Sequence, residues 1–62
     1  MLYNKILTLC AAKQMSIRKL ERESGLGNGT VNKWSEGRTP SASNLISVAK
    51  VLDTTVEELL AD

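Results

Sequence analysis

The chain has 62 residues, of which 42% are apolar and 24% are charged, and its formal net charge is +1. A domain this short buries only a modest fraction of its surface, which leaves little room for the deep pocket of an enzyme. Because the sequence contains one Cys and no His, it lacks an internal disulfide and the commonest general base and metal ligand, so we expect one domain over residues 1–62 with no enzymatic activity, metal or cofactor.

The spacing of apolar residues predicts five helices and therefore an all-α fold. The first helix is predicted over about residues 2–13, with one apolar face formed by Leu2, Ile6, Leu9 and Cys10. Ser16 is a favourable N-cap for a second helix over about residues 17–24. Gly25 follows this helix directly, in the position where a left-handed residue commonly ends a helix.

The third helix is predicted over residues 28–36, with Gly37 as its end. Val31 and Trp34 are three residues apart and therefore share one face of this helix. The opposite side is polar and carries Asn28, Gly29, Asn32 and Lys33. This segment is thus predicted to pack with one face against the protein and to present the other to solvent.

Two further helices are predicted after Pro40. Ser41 or Ser43 can cap the fourth helix, whose apolar positions follow helical spacing and are Leu45, Val48, Ala49 and Leu52. Thr55 and Glu58 have the spacing of a capping box that opens a short fifth helix.

Charge is distributed unevenly along the chain. Up to Arg38 there are seven Lys and Arg against three Glu, a balance of +4, whereas from Thr39 onward one Lys faces four acidic residues, a balance of −3. This division favours a protein with one basic side turned toward phosphates. An ordinary solvated helix surface is equally consistent with the charges alone.

The second and third predicted helices, joined by a tight turn, form the most informative feature of the sequence. Leu20, Leu26, Val31 and Trp34 can close on one another beneath this turn and hold the third helix outward. A helix has the width of the DNA major groove, where every base pair shows a distinct pattern of donors and acceptors.

The segment from Met15 to Leu60 resembles the lambda-repressor-like (Cro/repressor, or XRE) helix-turn-helix family. The matching residues are Ser16, Leu20, Gly25, Thr30, Val31, Lys33, Trp34, Gly37, Pro40, Leu45, Ala49, Lys50, Leu52 and residues 56–59. The resemblance implies a compact five-helix domain with a helix-turn-helix over about residues 17–36, whose third helix enters the major groove.

The resemblance also implies two sets of DNA contacts. Base contacts are expected from Asn28, Gly29, Asn32 and Lys33. Asn can pair with adenine, Lys can donate to guanine or a phosphate, and the glycine can let the backbone approach the DNA closely. Backbone contacts are expected from Arg18, Lys19, Thr30, Arg38 and Thr39.

Two positions depart from the family pattern. Ile17 stands where many members carry a Gln that braces a phosphate, so we expect that contact to be lost. Glu21 stands where members often carry Ala, close to the crossing of the two helices. We therefore expect Glu21 to bend outward or the crossing to open.

The resemblance implies a sequence-specific transcriptional regulator, a repressor of phage or prokaryotic origin, acting in the cytoplasm on the nucleoid. Its expected partner is a palindromic double-stranded DNA operator bound by a homodimer, with no membrane or small-molecule ligand. The alternative is a protein–protein interaction module, such as an antitoxin-like or antirepressor-target domain. The small net charge keeps this alternative open, as does the presence of Ile17 where many family members carry a Gln.

Overall fold

A computed structural model describes residues 2–61 and confirms the all-α prediction. The helices are α1 (Leu2–Ala12), α2 (Ile17–Ser24), α3 (Thr30–Trp34), α4 (Ala42–Val51) and α5 (Val56–Leu60). Across residues 2–61, each helix falls short of the length and apolar character that crossing a bilayer requires.

Short polar side chains start three of the helices as N-caps. The Ser16 hydroxyl accepts a hydrogen bond from the backbone N–H of Lys19 at 3.0 Å, at the start of α2. Of the two candidates for α4, Ser41 is the cap, with an extended backbone and a hydroxyl that accepts from the Asn44 N–H at 3.2 Å. Thr55 caps α5 in the same way. These bonds satisfy backbone donors that have no partner inside the helix.

The core is an aliphatic cluster closed by one tryptophan. Its buried residues come from all five helices and the segment after α4, and they are Ile6, Cys10, Leu20, Val31, Trp34, Leu45, Val48, Ala49, Leu52 and Leu59. α4 packs against α2, and α5 packs against α1 and α4. Burial raises the pKa of the Cys10 thiol, because the charged thiolate is poorly solvated there, so Cys10 serves as a core residue.

α3 is shorter than the predicted span of residues 28–36 and contains five residues. At its start Gly29 adopts a left-handed conformation, with φ of 87°, so the helix cannot extend back to Asn28. At its end Ser35, Glu36 and Gly37 each donate a backbone N–H to the carbonyl three residues earlier, at 3.1, 3.1 and 3.2 Å. This tighter winding finishes the helix within one turn.

Candidate nucleic-acid interface

The helix-turn-helix is fixed from beneath by apolar side chains. Leu20 from α2 and Val31 from α3 are completely buried, and Trp34 is 7% exposed. Leu26, in the turn between the two helices, is partly buried and packs against the same core. The predicted closure of these four side chains is confirmed, and it leaves the opposite face of α3 free to meet a ligand.

The polar face of this segment lies at the surface. Asn28, Asn32 and Lys33 are exposed, and Gly29 and Thr30 are partly buried. The structure therefore brings together the predicted base-contacting residues in one short stretch that comprises the end of the turn and the body of α3. A bidentate amide and a flexible ammonium on such a surface match the donor and acceptor pattern of base edges.

Four of the five predicted phosphate contacts lie on either side of α3 in the chain, and the fifth, Thr30, is its first residue. Arg18 and Lys19 are exposed in the first turn of α2, and Arg38 and Thr39 are exposed in the loop that follows α3. These side chains are open to solvent and can approach a polyanion without losing a buried partner. Their role on DNA stays a prediction.

Glu21 is the residue that sequence reasoning placed wrongly. It does not bend outward, because its side chain is 2% exposed and its carboxylate meets the start of α3. One carboxylate oxygen, Oε2, accepts from the Val31 N–H at 2.9 Å, and the other, Oε1, accepts from the Gly29 N–H at 3.3 Å. A negative group is favourable there because the start of a helix carries partial positive charge.

The start of α3 explains why an acceptor is needed at this place. Gly29, the residue before α3, has no side chain, and the helix shows no side-chain cap of its own. A helix that begins after a glycine needs an acceptor from elsewhere in the fold for its first N–H groups. Glu21 is the acidic residue on the inner side of α2, next to the completely buried Leu20.

Gly29 has a conformational role that is distinct from its predicted role on DNA. A Cβ added at this position would meet no atom within 4 Å, so internal space does not require glycine. The φ of 87° does, because L side chains rarely adopt it. Close approach of the Gly29 backbone to DNA stays a prediction.

A groove of about 430 Å³ opens beside the end of α3. Its walls include Leu2 and Tyr3 of α1, Trp34 of α3, Arg38 in the following loop and Leu60 of α5. Leu60 is 58% exposed, although its neighbour Leu59 is buried at 1%. The groove thus joins an apolar wall to the loop that carries two predicted phosphate contacts.

Neither a curated protein nor a solved structure matches the chain in comparisons with known proteins. A family model for the Cro/C1-type helix-turn-helix DNA-binding domain matches residues 5–62. This match spans all five helices except the first residues of α1, and it confirms the resemblance inferred from the sequence. The five helices, the turn anchored by Leu26 and the outward polar face of α3 are those of a DNA-binding domain, and the chain belongs to the Cro/C1-type helix-turn-helix family.

Proposed function

We propose that this chain is a sequence-specific transcriptional regulator, a repressor of prokaryotic or phage genes, in which residues 1–62 act as one DNA-binding domain. The observation that supports this most is the two-sided character of α3. Val31 and Trp34 are buried on one face, whereas Asn32 and Lys33 are exposed on the other. A short helix held in this way can be inserted into the major groove without unfolding any part of the core.

In this proposal the bases are read by the exposed segment at the start and on the outer face of α3. The side-chain amides of Asn28 and Asn32 pair with adenine, and the Lys33 ammonium donates to guanine acceptors or to a phosphate. Gly29 contributes its backbone, since it has no side chain. Adenine-containing steps next to a guanine are therefore the expected core of each half-site.

The phosphates are held by Arg18 and Lys19 on one side and by Arg38 on the other, with Thr30 and Thr39 as hydroxyl donors. The three cations are exposed, so each can release condensed counterions from the DNA when it binds. These contacts set the position of α3 in the groove but do not select a sequence.

Replacement of Arg38 by Gln should lower affinity for operator and for random DNA by similar factors. It should also reduce the slope of log K against log salt by about 1 per protomer, because one phosphate contact is lost. Fluorescence anisotropy with labelled duplexes over a salt series measures both quantities. Lys50→Gln is the matched control, since Lys50 is an exposed cation on α4, and it should keep the original slope. Equal slopes for all three proteins would remove Arg38 from the interface.

The same proposal assigns a homodimer on a palindromic operator, acting in the cytoplasm on the nucleoid. A helix of five residues contacts few base pairs, so a symmetric pair of readers is needed for specific affinity. We assign the dimer interface to α5, where Leu60 is 58% exposed at the edge of the apolar groove. Burial of this side chain against a second copy would remove apolar surface from water.

Selection of bound sequences from a random duplex pool tests the proposal as a whole. The expected result is an enriched palindrome whose half-site centres are about one helical turn, roughly 34–36 Å, apart. An enriched site without symmetry would retain sequence reading and reject the dimer. A pool that stays random after repeated rounds would reject the reading function and favour the interaction-module alternative.

A further inference from the structure

α3 has no side chain of its own that caps its N-terminus. It has five residues, and isolated helices of this length are unstable in water. Its N-cap position is occupied by Gly29, and the left-handed backbone there would point any side chain into open space. The geometry of the first turn of α3 must therefore be set by a group outside the helix.

The carboxylate of Glu21 is that group, and the backbone of Glu21 also binds the beginning of the turn between α2 and α3. Its backbone carbonyl accepts from the Leu26 N–H at 2.7 Å. Its carboxylate accepts from the N–H groups of Gly29 and Val31, at 3.3 and 2.9 Å. One residue of α2 thus binds the turn where it leaves α2 and where it enters α3.

The two carboxylate bonds fix orientation as well as position. Both oxygens of one planar group accept a bond, and their donors, Gly29 and Val31, are the residues on either side of Thr30, the first residue of α3. Because Glu21 is 2% exposed, its carboxylate depends on these backbone donors and not on bulk water for its hydrogen bonds. A tilt would leave a buried charge without partners, which is strongly unfavourable.

We propose that Glu21 is the positioning residue that sets the angle of α3 and thereby the sequence preference of the domain; this rests on the function proposed above. Contacts of Asn32 and Lys33 with base edges require the backbone of both residues to be held within about 0.5 Å and 10–20° of the productive geometry. Asn28 lies in the turn between the two attachment points of Glu21, so its placement depends on the same bonds. Glu21 touches no base and acts through these three residues.

Two isosteric substitutions on α2 separate positioning from charge. Glu21→Gln removes one negative charge and one acceptor, and its amide N–H₂ opposes one of the two backbone donors. Glu23→Gln removes the same charge from an exposed position on the same helix. Both substitutions change the net charge of the chain by the same amount, so a difference in sequence preference between them reports more than overall charge and points to the bonds to α3.

The ratio of affinities for the selected operator and for random DNA is measured for the wild type and both variants. We expect Glu21→Gln to lower this ratio about tenfold, roughly the discrimination that one well-placed base contact supplies. Glu23→Gln should keep the wild-type ratio. Amide hydrogen exchange should accelerate at Gly29 and Val31 in the Glu21 variant, with little change in the amides of α4.

The outcomes distinguish this proposal from the function on which it rests. If the wild type itself shows no preference for any sequence, the proposed function fails, and the positioning role fails with it. If the wild type and Glu23→Gln prefer the operator and Glu21→Gln does so equally, the positioning role alone is overturned. Should Glu21→Gln not fold, Glu21→Asp retains the charge on a shorter side chain and must show the same loss of preference.

Discussion

Replacement of Asn32 and Lys33 together by Ala should abolish the preference for operator over random DNA and leave the helical circular dichroism unchanged. Both side chains are exposed on the outer face of α3, so their truncation disturbs no core contact. A bidentate base contact contributes about 1–3 kcal/mol of discrimination, so the two losses together should weaken operator binding roughly a hundredfold. Gel-shift titrations with the operator and a scrambled duplex of equal length measure this change.

The control for this experiment is Lys50→Ala, which removes the same charge as Lys33→Ala from an exposed position on α4. It should reduce affinity for both duplexes slightly and leave their ratio intact. An unaltered preference in the double variant would show that α3 is not the reading helix, whatever its effect on total affinity.

Leu20→Ala should remove much of the stability of the domain. Leu20 is completely buried, and such truncations cost about 2–5 kcal/mol through lost burial and the cavity left behind. A domain of this size has a total stability of roughly 3–9 kcal/mol, so the loss is a large fraction of the total and should move the unfolding midpoint to a much lower urea concentration. Urea unfolding followed by the fluorescence of the single Trp34 gives the free energy directly.

The matched control is Leu60→Ala, which makes the same chemical change at a side chain that is 58% exposed. Measured at protein concentrations where the chain is monomeric, it should alter stability by about 0.5 kcal/mol or less, as surface substitutions usually do. Equal losses in the two variants would contradict the division between core and surface described above.

The boundaries of α2 follow from local chemistry and could be predicted residue by residue. Ser16 caps its start and Gly25, with φ of 76°, ends it, and both signals lie within one turn of the helix they delimit. The boundaries of α3 could not be predicted in this way. Apolar spacing at Val31 and Trp34 places the helix, but it does not report the left-handed turn at Gly29 or the tight winding after Trp34.

The outward face of the candidate site could also be predicted, because solvent exposure of Asn32 and Lys33 follows from the burial of their neighbours on α3. The role of Glu21 could not. Its acceptors serve backbone donors that are eight and ten residues further along the chain. Such a pairing has no period in the sequence, and family likeness predicted a small side chain at that position. Burial of a carboxylate is understood only once its tertiary donors are known.

The brevity of α3 also limits how much sequence a single protomer can specify. Five residues rise about 7.5 Å along the helix axis, the height of about two stacked base pairs. A genome offers roughly 10⁶–10⁹ competing positions, and the few base pairs within reach of one such segment recur many times among them. In the proposed homodimer two such segments contact the DNA together, and the number of protomers then determines, more than the chemistry of any one side chain, how rare a target site can be.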